Sequence, residues 1–344
     1  MLNLLRTHDA NLVELPCGRG SVLVAPLLAG RIFCQFDGEL IHRLDGRALQ
    51  HPSPTEYNNL GGNSLWPAPE GGLFAFNYLP GSDQWLVQDG ISKAVPTVSP
   101  EGQNTVIVEK AIQLSNRKGI SLHLTYRRKV YVPSEPAISV GYTLEGMRYQ
   151  TVDTFEPLGE YLATDVLLAP WSLEQFPGAD GIVAFGRVQD PENALNCDFY
   201  GDPGGRISWR EGCFAFRLGG ADRHQIGVRV QSRPQLIGSL DTRRSLLVLR
   251  KTPPRQGLYF NIADNEQVNG PFSSADLYSI FNGGELGFYE LETIGAMQEI
   301  GGNLAAADLE SETVILHGST AELQRYLCRE EGIDLAPLME CFSA

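Results

Sequence analysis

The apolar positions of this chain recur with a period of two far more often than with the period of a helix. From Asn104 to Val132, Val106, Val108, Ile112 and Leu114 alternate with polar residues. The turn Asn116-Arg117-Lys118-Gly119 follows, and Ile120, Leu122, Leu124 and Tyr126 resume the alternation. That pattern on both sides of a glycine-ended turn predicts a long β-hairpin. Ile138, Val140, Tyr142 and Leu144 continue it and predict a third strand of the same meander. Further strands are predicted over 21–28, 31–36, 73–78, 213–218, 225–230, 245–250, 258–262, 287–293 and 313–317. Thirty-seven glycines and 21 prolines punctuate these short runs, as in a chain of many strands and turns. Parallel architectures need helical segments between strands, and none is apparent, so the strands are expected to be antiparallel. One helix is predicted over 320–331: Ser319 stands three residues before Glu322, as in a capping box, and Leu323, Tyr326 and Leu327 form an apolar face. Residues 52–62, rich in turn formers, read as a loop.

There is no linker, low-complexity tract or fixed-period repeat, so the expectation is one continuous all-β domain over residues 1–344. More than a dozen antiparallel strands bury their apolar sides only by closing or by stacking, which predicts a large antiparallel β-sandwich with a short C-terminal helix.

Composition narrows the partners. The 344 residues are 42% hydrophobic and 20% charged, which excludes disorder and leaves no apolar run of membrane length. The formal net charge of −14 repels nucleic-acid phosphates and anionic lipid, so neither nucleic acid nor membrane is an expected partner. The six cysteines are scattered without a C-x-x-C pair and read as reduced thiols. Arg6, His8, Asp9 and Glu14 interrupt the N-terminal apolar residues, unlike a secretory signal, and a cytoplasmic location is the expectation. Neither Leu2 nor the residues after Cys341 fit a lipidation motif. The six histidines show no i, i+2 or i, i+4 spacing, and His123 falls on the polar face of the hairpin. No metal or cofactor is expected from local spacing, although a site assembled from distant strands stays open. The nucleophile-elbow, P-loop and dinucleotide fingerprints are all missing.

Three segments depart from strand-and-turn patterning. Residues 57–72 combine Gly61-Gly62, Trp66 between turn formers, and the carboxylate Glu70. Glycine pairs permit close backbone approach and a fixed indole suits a sugar ring, but a purely structural loop accounts for them equally well. Residues 154–178 bring together Glu156, Glu160, Trp171, Glu174 and Gln175. Pro157 and Gly159 argue against a helix that would pair the first two glutamates, while Trp171, Glu174 and Gln175 suit either a solvated turn or a hydrogen-bonding and stacking surface. In residues 276–293, Glu290 and Glu292 share one face of a predicted strand. In a partly dry cleft one of them would approach the pKa of a general base, and on an outer face the two are a solvated pair.

Taken in order, Val24 to Ile32, the Gly61-Gly62 to Trp66-Pro67-Ala68-Pro69-Glu70 stretch, Trp171-Ser172-Leu173-Glu174-Gln175 and Phe288-Tyr289-Glu290-Leu291-Glu292-Thr293 resemble the galactose-mutarotase-like superfamily. This is the β-supersandwich of the aldose 1-epimerases, in a poorly characterised branch. The resemblance spans roughly residues 20–317. It implies a saccharide cleft with Glu292 as the base that takes the anomeric hydroxyl proton. Arg31, Trp66, Glu70, Trp171, Gln175 and Glu290 would bind the substrate. Where those epimerases carry an acid histidine, this chain offers Trp171-Ser172-Leu173-Glu174-Gln175. A small-molecule or oligomeric saccharide is therefore the expected partner, with no cofactor. The alternatives are a non-catalytic sugar-binding or sensory module and a glycan-cleaving enzyme, which needs two carboxylates at a set separation. With 22 arginines against 5 lysines, guanidinium groups are at hand for an anionic sugar.

Overall fold

In a computed structural model of the chain, the described residues are 1–135, 137–138, 141–260 and 275–342. Their strands form two ten-stranded sheets and one small two-stranded sheet, with every pairing antiparallel. The first large sheet runs in the order Val13–Cys17, Gly20–Ala25, Arg31–Phe36, Asn63–Ala68, Ala169–Pro177, Phe288–Ile294, Asp276–Asn282, His224–Arg229 and Leu195–Asn196. Its centre therefore joins strands from the first, middle and last thirds of the chain. The second sheet contains the predicted hairpin, Thr105–Ser115 paired with Ser121–Tyr131, followed by Glu145–Pro157 and Ala307–His317.

The hairpin forms where alternation predicts it because Val106, Val108, Leu122 and Leu124 are fully buried while the residues between them meet solvent. Burying each such side chain contributes about 1.5–3 kcal/mol, enough to fix the register of the pair. The main apolar cluster lies between the two sheets and joins Ile32, Leu65 and Leu291 to Val106, Leu124 and Val248. The outer face of the second sheet is covered by the C-terminal helices through Leu323, Leu327 and Leu338. One end of the first sheet is covered by the N-terminal helix Leu2–His8 and the short helix Gly46–Gln50, with Leu5 and Leu49 packed on Leu23 and Phe33. Beyond that cover, the outer face of its central strands borders a cavity.

The layer between the sheets also holds charge. Arg128 pairs with Asp153 at 2.7 Å and donates to Asn63 Oδ1 at 2.7 Å. Arg250 pairs with Glu174 at 2.9 Å and donates to the backbone carbonyls of Ser172 and Leu291. Glu174 also accepts from His42 Nε2 at 2.8 Å, Thr313 Oγ1 at 3.0 Å and the Tyr149 hydroxyl. His42 Nδ1 accepts the Cys34 N–H, which leaves Nε2 to donate. Burial alone would raise the Glu174 pKa, but Arg250, His42 and Tyr149 outweigh it and hold that carboxyl at about 2.

Several expectations are corrected. The first strand after the N-terminal hairpin turn stops at Ala25, where Pro26 begins a 3-10 turn. Residues 73–78 form no strand, only a bridge from Tyr78 to Trp85, and Leu258 makes a single bridge to Met297, with Asn261 and Ile262 outside the described residues. The third strand of the meander is Glu145–Pro157, not 138–144. Ile138, Tyr142 and Leu144 pack instead beside the C-terminal helices, and Val140 lies outside the described residues. Half of the capping box forms: Ser319 accepts from the Glu322 N–H, but Glu322 reaches the Thr143 N–H and Arg325. The stretches around Trp66 and Trp171, read as loop and turn, are central strands. Both faces of Asn63–Ala68 and Ala169–Pro177 are buried, so polar alternation is absent, and Pro67 opposite Pro170 disguises them as turns.

Candidate functional site

Strand register builds the site. Gln175 stands opposite Glu290 and Leu173 opposite Glu292. On the far side of that strand Glu290 meets Phe281 and Glu292 meets Ser279, and the next strand sets Gln225 opposite Phe281. On the other flank Trp66 lies opposite Trp171 and Ser64 opposite Leu173. Because side chains alternate across a sheet, all of these project from the same outer face, whereas Ser172 and Glu174 point inward to Arg250. Ser64, Trp66, Trp171, Leu173, Gln175, Gln225, Phe281, Glu290 and Glu292 border a cavity of about 210 Å³, whose lining is extended by Tyr57, Glu70, Trp85, Phe199, Tyr200 and Arg223.

Glu292 is the deepest carboxyl. It accepts from Trp171 Nε1 at 3.0 Å and from Gln225 Nε2 at 3.3 Å, and Gln225 also donates to Ser279 Oγ at 2.8 Å. Glu290 accepts from Gln175 Nε2 at 2.7 Å and stands two residues before Glu292 on the same face of the strand. The orientation of the Gln175 amide is set by Arg43, which donates to its Oε1 at 3.2 Å, stacks over Phe288 and is itself held by Asp45. Burial drives both carboxyls upward. Glu290 reaches about 7, with Gln175 and Arg43 only partly offsetting the loss of water. Glu292 goes well above the ordinary value, through burial and then the charge of Glu290, against the pull of Trp171. Glu70, which accepts from Trp85 Nε1 at 3.4 Å, is also raised by burial. At neutral pH the pair therefore holds roughly one proton too many for two free carboxylates and one too few for two acids. One member can accept a proton while the other donates.

Of the residues singled out in the sequence, Trp66, Glu70, Trp171, Gln175, Glu290 and Glu292 converge on this cavity. Arg31 does not: it is 4% exposed and sits behind the wall, donating to the Gly61 carbonyl and to the Tyr57 hydroxyl, both at 2.7 Å. Glu174 faces the opposite side of its strand, and Glu156 and Glu160 are exposed elsewhere. The Gly61-Gly62 pair approaches its own fold: a Cβ on Gly61 would lie 2.1 Å from the Arg43 carbonyl oxygen, and one on Gly62 2.8 Å from that of Ile32. Among the described residues no histidine borders the cavity. Sequence reasoning passed over Gln225, Phe281 and Arg43. The first two carried a signal, since they occupy alternate positions of strands next to the glutamates, whereas Arg43, Trp85 and Tyr200 lie in irregular segments with no local pattern. Among the described residues no cluster of three or more His, Cys, Asp or Glu is placed to hold a metal ion, and no helix is long and apolar enough to cross a membrane.

Residues 1–342 match a family of unknown function, DUF6786. The chain belongs to this family. No curated protein matches it by sequence. Among solved structures, it is similar to a "Putative aldose 1-epimerase" from Escherichia coli K12, at a TM-score of 0.52 and 12% identity, covering 89% of this chain and 99% of that one. The Slr1438 protein from Synechocystis sp. PCC 6803 gives a TM-score of 0.50 at 13% identity, over 89% and 95% of the two chains. A galactose mutarotase-like protein from Lactobacillus casei ATCC 334 gives 0.48 at 12% identity, over 89% and 100%. At such identities the likeness is one of fold: this DUF6786 chain has the galactose mutarotase-like β-sandwich.

Proposed function

We propose that the cavity binds a saccharide and that the Glu290–Glu292 pair performs acid–base chemistry at its anomeric centre. The observation that carries this reading is the pair itself: two carboxyls at alternate positions on one face of a strand, lining a tryptophan-walled cavity, both with pKa values pushed upward. Ring opening of an aldose requires a base for the anomeric hydroxyl and an acid for the ring oxygen, two atoms bonded to the same carbon. A singly protonated carboxyl pair supplies both roles within that span and takes the place of a glutamate–histidine arrangement. Glu292, held by the Trp171 and Gln225 donors, and Glu290, held by Gln175, exchange the roles of acid and base when the ring closes on its other face.

Among the described residues the wall contributes Glu70, Glu290 and Glu292 against one cation, Arg223, which favours neutral or amino sugars over carboxylated or phosphorylated ones. Aldose anomer exchange followed by polarimetry and by NMR should be faster with the protein than in buffer. It should fall by about 10²-fold or more in Glu292→Gln and in Glu290→Gln, the span usual for a positioned acid or base. Buffer-level rates with the wild-type chain, together with sugar-dependent thermal stabilisation, would replace this reading by that of a binding module.

A further inference from the structure

A second cavity, of about 500 Å³, adjoins the first and shares Tyr57 and Trp85 as a common wall. Further lining comes from the loop around Ser53, from Ala48 and Leu49 of the Gly46–Gln50 helix and from residues between Gln84 and Lys93. A row of aromatic rings connects the two. Trp171, which donates to Glu292, meets Trp66 edge to face at 6.1 Å between centroids. Trp66 meets Tyr57 at 5.6 Å, and Tyr57 meets Trp85 at 5.9 Å, with interplanar angles of 76° and 69°. Each ring thus turns a fresh face or edge along the way from the carboxyl pair to the outer chamber. At the outer end Trp85 is 45% exposed and Leu86 38%, so apolar surface faces the chamber and the solvent beyond it.

The loop that walls the outer chamber is fixed before anything enters. Asn58 Nδ2 donates to the Ser53 carbonyl at 2.9 Å and its Oδ1 accepts the Ser53 N–H at 2.8 Å. Tyr57, between them, is tied by its hydroxyl to Arg31. A preset wall of this kind lowers the ordering cost of binding. The chamber combines two aromatic rings with hydroxyl, amide and carboxylate groups from Ser53, Gln84 and Glu56, the mixture that accommodates both the C–H face and the hydroxyls of a pyranose.

Resting on the saccharide reading above, we infer that the substrate is an oligosaccharide: its reducing-end ring lies over Glu290 and Glu292, and the following ring occupies the outer chamber between Tyr57, Trp85 and Leu86. Isothermal titration and thermal shift with D-glucose, D-galactose and D-glucosamine, set against maltose, cellobiose, lactose and chitobiose, test this. At least one disaccharide should bind about tenfold or more tighter than its own monosaccharide. Ser92→Trp and Ala48→Trp fill the outer chamber from two different elements, and either should abolish that advantage while leaving monosaccharide affinity as in the wild type. Equal affinity for the two lengths, or an advantage that survives in both folded variants, would overturn the inference and leave the monosaccharide site standing. Absence of binding by every sugar, short or long, would overturn the parent reading along with it.

Discussion

Three glutamates on two neighbouring strands receive opposite treatment. Glu174 and Glu290 are only one register step apart across the pair, yet Glu174 is held at about 2 while Glu290 is raised to about 7. Both have lost water; what differs is that Arg250 faces Glu174 directly, whereas Glu290 faces another carboxyl and an amide. The consequence for pH follows from linkage. The folded protein keeps protons on Glu290 and Glu292 that an unfolded chain releases above its ordinary carboxyl value of 4.5. The contribution of Glu290 to stability is thus fully present below pH 4.5 and lost as pH rises through about 7, and that of Glu292, raised in the same direction, is likewise lost on the alkaline side. Glu290→Gln and Glu292→Gln should therefore raise the melting temperature more at pH 8 than at pH 5, as read by calorimetry. An equal effect at both values would show that the pair does not retain a proton. Anomer exchange should move the other way, climbing as pH passes about 7, because a doubly protonated pair has no base.

At the scale of elements, the two glycines before Asn63 hold the site strand to the segment that carries Arg43. Gly61 has a φ of 85°, and the Gly62 carbonyl accepts the Gln175 N–H at 3.0 Å while the Gly62 N–H donates to the Arg43 carbonyl at 3.0 Å. Gly61→Ala combines a left-handed backbone with a Cβ directed into a backbone oxygen. We expect it to cost about 1–3 kcal/mol by urea unfolding. It should also weaken sugar binding, because Arg43 would release Gln175. This junction also marks how far sequence was informative. The hairpin was legible because one of its faces meets water, which writes alternation into the residues. The site strands around Leu65 and Leu173 are buried on both sides, so they carry no such trace, and Pro67 and Pro170 added turn signals. Strands Ile182–Val188 and Pro234–Asp241, buried likewise, went unread. Chemistry that is unusual in a core, such as Trp66 or Glu292, stood out even where the strand around it did not. Arg31 lies behind the cavity wall, where a guanidinium serving a backbone carbonyl and a tyrosine hydroxyl has the same one-letter signature as one serving a ligand.

At the scale of the molecule, the two sheets are fastened through their interior by Arg250 and Arg128, each 0% exposed and each reaching from the second sheet to the first. Arg250→Met leaves Glu174 without its cation in a dry layer. It should destabilise the protein by about 3–5 kcal/mol, and adding Glu174→Gln should recover part of that loss. Urea titration of the single and double variants checks it; a single variant as stable as the wild type would mean that water reaches Glu174. Because this fastening lies behind the site strand, it also sets the height of Trp171 and Gln175 on the other side, so rigidity of the interior and geometry of the cavity are one property.

The chain has four tryptophans, and three of them, Trp66, Trp85 and Trp171, surround the same hollow, while Trp209 lies on an edge strand of the opposite sheet. Ultraviolet emission from this protein is consequently dominated by one locality. A guest that displaces solvent from the half-exposed indole at the entrance would shift that emission toward the blue, so the molecule announces its own occupancy without any dye attached to it.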